Sequence, residues 1–300
     1  MKLDQLRRMA LFAMVAQEGS FTAVSKLQNI ATSAISSAVT QLEDEIGTRL
    51  FHRTTRKLRL SAAGEVFLKR CQAMLFEANT AHEELNLLTG QLVGALTITA
   101  SLWEAEAWVL PALQPLLQDN PRLTLNLLVQ DEQLDLIEHG IDIAIRSGQL
   151  ADSSLIARAL VELPEVIVAS PMYLSKNGTP KNADDLSEQR IIAFTPFMQP
   201  QQLSLIDGAG KVQIVQLKLG AQANNTQLVK KLCIMGMGVA RLPLAMVKDA
   251  LDDGTLIKIL PKYTLPIIKI YAITTRRDMQ PAKVIAALTA LQTHIQKNPS

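Results

Sequence analysis

Cysteine is nearly missing from this chain: Cys71 and Cys233 are its two thiols, and neither has a partner at a spacing that suggests zinc or a disulfide framework. Both read as reduced. Long apolar runs are missing too. No stretch of about 18 uninterrupted apolar residues offers a membrane span, and the N-terminus carries Asp4, Arg7 and Arg8 where a signal-type apolar block would stand. The expected location is the cytoplasm, with no membrane partner. The reagents of catalysis are also thin. His52, His82, His139 and His294 fall in four separate stretches, no glycine-rich phosphate loop follows a strand, and no serine, histidine and acid grouping has a recognisable elbow. The pair Gly236 and Gly238 reads as a helix end leading into a strand. No metal, no cofactor and no enzymatic activity are expected.

What is present is enough apolar material, 48% of 300 residues, for two or three cores. Charge is unevenly spread. The formal net charge is +2, but residues 1–60 hold nine basic and five acidic side chains, residues 61–90 two and four, and the remainder nineteen of each. Positive charge is thus gathered at the N-terminal end, where binding to phosphates would use it, although an ordinary solvated surface would share that feature.

Residues 19–64 give the basic end a shape. Residues 3–17 read as a covering helix. Gly19 and Ser20 then supply a turn and an N-cap, and Phe21, Val24 and Leu27 recur at helical spacing up to Ile30. From Ser33 to Ile46, the side chains of Ile35, Val39, Leu42 and Ile46 share one face. Ser33, Ser36, Ser37 and Thr40 occupy the other, short hydroxyl residues able to lie in a groove. After Gly47 the chain alternates through Arg49–Arg53, turns at Thr54 and Thr55, and alternates back through Arg56–Leu60, a β-ribbon with a basic tip. Helix, helix and basic ribbon make a winged helix-turn-helix. Its expected contacts with double-stranded DNA are Thr32, Ser33, Ser36, Ser37 and Thr40 on the helix and Arg53, Thr54, Thr55, Arg56 and Lys57 on the wing.

From Ala62 to about Thr89 the apolar pattern becomes that of one long helix, about 40 Å at 1.5 Å per residue, too long for a small domain to cover. Beyond Gly90 and Gly94, strands and helices alternate. The strands expected first are Leu96–Ser101, Leu123–Val129 and Ile141–Ile145, with helices over 104–118 and 131–139, the β-α-β-α-β order of a parallel sheet. A second set follows. It comprises strands at Glu165–Ser170, Ile191–Thr195, 212–219, Gly238–Leu242 and Ile257–Leu260, with helices at Asn225–Met235 and Pro243–Leu251. A strand at Ile268–Thr274 and a helix at Pro281–Gln296 close the chain.

The sequence resembles the LysR-type transcriptional regulators. The carrying residues are Gly19-Ser20-Phe21-Thr22, Ser33-Ala34-Ile35-Ser36, Leu42-Glu43, Gly47, Leu50-Phe51, Arg53 and Ala63-Gly64 at the N-terminal end. In the remainder they are Asp142-Ile143-Ala144-Ile145-Arg146, Ser170-Pro171 with Tyr173-Leu174, and Gly236, Gly238-Val239-Ala240 with Leu242-Pro243. The match spans essentially the whole chain. It departs at Ala31, where the family often caps the recognition helix with serine, so that Thr32 or Ser33 must take the cap or the first turn starts late. It departs again at Ser37, where many relatives carry a basic residue.

The resemblance implies an α plus α/β fold. Residues 1–61 would be the winged helix-turn-helix domain and 62–90 a linker helix that pairs with a second copy. Residues 91–300 would be a two-lobed effector domain like periplasmic solute-binding proteins, lobe I about 91–163 and 267–300, lobe II about 164–266. It further implies a homodimer or homotetramer on dyad-symmetric promoter DNA, with a small-molecule effector and RNA polymerase as partners. Ligands bind outside the carboxyl ends of strands in open α/β sheets. That rule selects Ser101, Trp103, Arg146, Ser147, Thr195, Phe197, Asn224, Asn225 and Thr226 as effector-binding residues, and a helix start rich in hydroxyl and amide groups suits a small organic anion. Two alternatives stay open: a redox-responsive regulator using Cys233, and a transport-type solute-binding protein, which would not need residues 1–90.

Overall fold

The structure is a computed structural model that describes residues 3–52, 58–89, 91–132, 134–147, 155–196, 199–275 and 280–298. It divides into two compact units, residues 1–90 with 137–140, and residues 91–136 with 141–300. No described helix is long and apolar enough to cross a membrane.

The first unit starts with helices α1 (Leu3–Glu18), α2 (Phe21–Gln28) and α3 (Thr32–Ile46), continues through the short strands β1 (Phe51–His52) and β2 (Arg59–Leu60), and ends in α4 (Ala62–Thr89). Ser20 caps α2 by accepting the Ala23 N–H at 3.2 Å. Phe12, Val24, Ile35, Val39, Leu42, Leu50 and Cys71 bury together in one core, so the apolar faces of α1, α2, α3 and the first turns of α4 meet in the middle. Two expected core positions lie outside it: Leu27 is 66% and Ile46 36% exposed. Both sit near helix ends where the stripe has turned away from its partners. Antiparallel β1 and β2 pair Phe51 with Leu60 and His52 with Arg59, the base of the expected wing. Its tip, with Arg53, Thr54, Thr55, Arg56 and Lys57, lies outside the described residues. Gly64 explains the Ala63-Gly64 pair. A Cβ there would stand 2.1 Å from the Leu50 carbonyl oxygen, so only glycine lets α4 start this close to the wing.

The second unit holds two lobes. In the first, β3 (Gly94–Ala100), β4 (Leu123–Val129), β5 (Ile143–Ser147), β6 (Leu155–Leu163) and the late strand β14 (Ile268–Thr275) form a sheet ordered β4-β3-β5-β14-β6. Strands β4, β3 and β5 run parallel, as the sequence pattern predicts for those three, while the late strand β14 is antiparallel to both neighbours and makes the sheet mixed. Strand β6, which that pattern does not predict, supplies the edge. Helical residues 102–119 comprise α5 (Leu102–Glu104), a π-turn (Ala105–Val109) and α6 (Leu110–Asp119). With α11 (Ala282–Lys297), this stretch covers a core of Leu96, Ile98, Trp108, Leu113, Ile143 and Leu288. The helix expected over 131–139 does not form; its described residues are bends, irregular backbone and turns. Only Leu136 buries among the described ones, and a single apolar anchor cannot hold a helix face to the sheet.

The second lobe contains β7 (Glu165–Ala169), α7 (Pro171–Asn177), α8 (Ala183–Ser187), β8 (Arg190–Phe194), β9 (Gln202–Ile206), β10 (Val212–Gln216), β11 (Lys218–Ala223), α9 (Thr226–Ile234), β12 (Ala240–Pro243), α10 (Leu244–Asp252) and β13 (Ile257–Lys258). Strand β7 is central between antiparallel β12 and β13, β8 pairs in parallel with β11, and β9 with β10 makes a hairpin. The glycine pair before β12 serves packing. A Cβ on Gly238 would meet the Arg190 carbonyl oxygen at 2.5 Å, and Gly236 adopts φ +76° after the end of α9.

Candidate functional site

Helix α3 presents two faces set by its sequence. Ile35, Val39 and Leu42 are buried, whereas Ser33, Ser36 and Ser37 are exposed and Thr32 and Thr40 half-buried at the margin. The five expected helix contacts therefore share one side, and exposed Gln41, one turn beyond Ser37, extends the row. Neither Thr32 nor Ser33 takes over the cap: the N-cap is Ala31, with no side-chain hydrogen bond to the free amides. The helix begins on time because Ala34 and Ile35 donate backbone hydrogen bonds to the Ala31 carbonyl, at 2.9 and 3.2 Å.

The other end of α3 is tied to the wing by Glu43. This buried carboxylate accepts the backbone N–H groups of Leu50 at 2.8 Å and Phe51 at 3.1 Å, and pairs with the Arg49 guanidinium at 2.6 Å. Burial alone would push its pKa up. The Arg49 hydrogen bond and the two backbone donors outweigh burial, and the carboxyl sits below its ordinary value. The Leu42-Glu43 and Leu50-Phe51 signature is thus one buried device that aims the wing relative to the helix.

In the second unit, a cavity of about 690 Å³ opens between the lobes. It is lined by six of the expected residues, Ser101, Trp103, Arg146, Ser147, Thr195 and Thr226. Asn224 and Asn225 stand beside it in hydrogen bonds that cross between the lobes, Asn224 Nδ2 to Glu132 Oε1 at 3.3 Å and Asn225 Nδ2 to Asp131 Oδ2 at 2.7 Å. Phe197 lies outside the described residues. Trp103 belongs to the rim and to the packing at once, since it touches the cores of both lobes and meets Trp108 edge-on at 4.9 Å between ring centroids.

The groups expected to hold an organic anion are already engaged. Ser101 caps α5, accepting the Glu104 N–H at 3.2 Å while Glu104 Oε2 accepts the Ser101 N–H at 2.9 Å. Arg146 donates to the Ile145 carbonyl at 2.8 Å, Thr99 Oγ1 at 2.6 Å and the Glu132 carbonyl at 3.2 Å. At the start of α9, Asn225 caps by accepting the Leu228 N–H at 3.1 Å, and the carboxylate of Asp131 accepts hydrogen bonds from Thr226. The acidic residues were not legible as site residues, because Glu104 sits inside a helical pattern and Asp131 in a stretch that reads as a helix. Burial holds the carboxyls of Glu104, Asp131 and Glu165 above the ordinary range, and Arg146 and Arg241 offset only part of that effect. Glu165 pairs with Arg241 at 2.5 Å across the β7–β12 ladder.

Cys233 is fully buried in the core of the second lobe, its thiol directed to the carbonyls of Val168 at 3.4 Å and Gly238 at 3.6 Å, and burial pushes its pKa up to about 12. Cys71 is likewise buried, with a pKa of about 12. Neither thiol has the thiolate character that oxidant sensing requires. Among the described residues no cluster of His, Cys, Asp and Glu could hold a metal ion.

A hydroxyl-faced helix beside a wing, followed by a long helix and a two-lobed α/β unit with a cleft, defines a DNA-binding regulator with a ligand-binding domain. Residues 6–65 match the family of bacterial regulatory helix-turn-helix proteins of the lysR family, and residues 89–296 match the LysR substrate binding domain. The chain belongs to the LysR-type transcriptional regulators. It is 32% identical to the HTH-type transcriptional activator AaeR of Escherichia coli K12, over 96% of this chain and 93% of that protein. It is 30% identical to the HTH-type transcriptional regulator PtxR of Pseudomonas aeruginosa, over 98% and 94%. Among solved structures it is similar to the full-length virulence activator AphB of Vibrio cholerae, with a TM-score of 0.63, 30% identity and coverage of 97% and 98%. CrgA of Neisseria meningitidis gives 0.59, 26%, 97% and 98%.

Proposed function

We propose that the chain acts in the cytoplasm as a homodimer or a dimer of dimers. It reads dyad-symmetric promoter DNA with α3 and the wing, and responds to a small molecule held in the cleft between the lobes. The cleft carries this reading: a 690 Å³ cavity bordered by hydrogen bonds from one lobe to the other suits a ligand that resets the lobes. Two copies of α3 on successive major-groove faces need a spacer, and α4, with 28 residues and about 42 Å of length, supplies one that a second copy can pair with. Val66 on α4 is 70% exposed, in keeping with a helix side left for a partner. RNA polymerase is the further partner through which occupancy of the promoter changes transcription.

The test is footprinting of the full-length protein on its own promoter region, with sedimentation to give the assembly state. Protection of two half-sites on one face of the duplex by a dimer or tetramer is expected; protection of a single half-site by a monomer would end the proposal. Arg53→Ala with Lys57→Ala should weaken binding to all sequences and flatten its salt dependence, by roughly one unit of slope for each phosphate no longer neutralised.

A further inference from the structure

Resting on the cleft as effector site, the charge of its walls names the ligand class. We infer that the effector carries a positively charged nitrogen, an amine, amidine or guanidine, on an apolar body. Among the described residues, the charged lining consists of the carboxylates Glu104, Asp131, Glu132 and Glu165 and the guanidinium groups Arg146 and Arg241. Leaving out Glu132, which is exposed, three carboxylates still face two arginines. Arg241 is paired with Glu165, and Arg146 gives three of its N–H donors to Thr99 and the carbonyls of Ile145 and Glu132, neutral acceptors that leave its single charge to balance one of the two carboxylates it faces, Glu104 or Asp131.

Glu104 is the decisive group. It is 7% exposed, lines the cavity, and the only hydrogen-bond partner of its carboxylate among the described residues is Ser101, whose amide belongs to the same turn. Arg146, shared with Asp131, compensates only part of the cost of burying this carboxylate, and a cation delivered into the cavity offsets the rest. An incoming anion would meet the reverse: it would add to the negative excess, and the start of α9 that could have received it is occupied by Asp131. Trp103, Phe194, Met246 and Ile268 provide apolar and aromatic wall for the rest of the ligand, and an aromatic face is itself favourable to a cation.

The experiment is titration calorimetry and thermal unfolding of the full-length chain with phenethylamine, 1,4-diaminobutane and butylguanidine, each beside a carboxylate of matching shape. At least one cation should bind and raise the unfolding temperature while its carboxylate counterpart does not. Glu104→Gln combined with Asp131→Asn should weaken that binding roughly tenfold or more. Binding of the carboxylates in preference, no binding by any of the cations, or undiminished cation binding by the double variant would overturn the inference. Thr195→Trp, which fills the cavity from an exposed position, separates this from the reading beneath it. If a carboxylate binds and Thr195→Trp abolishes that binding, the cleft stands and the cation falls; if any ligand binds Thr195→Trp as well as the original chain, the cleft itself is not the site.

Discussion

Single carboxyl groups in this protein divide into two kinds, and the division sets Glu43 in the first unit against the carboxyls of the cleft in their response to acid. Glu43 has a depressed pKa, so its contribution to the first unit is present above the ordinary carboxylate value and is lost as pH falls through its folded value. Glu104, Asp131 and Glu165 have raised values. Between the ordinary and raised values the folded state holds more protons than the unfolded one, so their contribution is present below the ordinary value and is lost as pH rises through the folded values. Hydrogen exchange of the full chain should therefore show the strands around the cleft gaining protection as pH drops from neutral into the mildly acidic range, once intrinsic exchange rates are corrected, whereas Asp249 and Asp253 at the end of α10, held below the ordinary value by hydrogen bonds from Lys230 and Thr255, follow Glu43. The first unit should lose protection below the ordinary carboxylate range. Glu43→Gln should cost about 1–3 kcal/mol, the range for a buried hydrogen-bonded group losing its charged partner, and should expose the Leu50 and Phe51 amides to exchange first. Cys233→Ser should leave the oxidant response of DNA binding unchanged, since the thiol it replaces is fully buried.

At the scale of elements, α3 is a helix left without an N-terminal side-chain cap. Ala31→Ser should stabilise the first unit by about 0.5–1 kcal/mol, visible as a rise in its melting temperature. Replacing Ser33, Ser36 and Ser37 by alanine together should leave folding intact, because all three are exposed, and lower affinity for the specific site by about 0.5–1.5 kcal/mol for each direct hydrogen bond removed. Most element positions are legible in the residue pattern. Regular apolar spacing marks α3, α4 and α11, and alternation marks β3 and β4. What escapes the sequence has physical causes. Strand β6 is hidden because Arg158 and Glu162 interrupt its apolar run, as suits an edge strand with one exposed face. The turns at 131–139 pass for a helix because Leu134, Leu136 and Ile137 mimic helical spacing over a stretch too short to nucleate. In the cleft, strand ends locate Ser101, Arg146 and Thr195; the Ser101-x-x-Glu104 capping box is a local pattern that the helical reading of 104–118 passes over, whereas the occupation of the start of α9 by Asp131 closes only in three dimensions.

For the whole molecule, the pairing of β6 with β14 has a consequence for how the chain assembles. Leu163 and Ile268 face each other as antiparallel partners, so β6 and β14 are the two arms of a hairpin whose loop has been exchanged for the entire stretch 164–267. The five-stranded sheet cannot be completed until that inserted lobe has been synthesised, and β14 must then thread between β5 and β6. Formation of the first lobe should thus be the late step of folding, with the insert able to gather its own core beforehand. The same geometry makes the insert removable in principle: a short turn joining Leu163 to Ile268 would leave every strand of the first lobe its native neighbours.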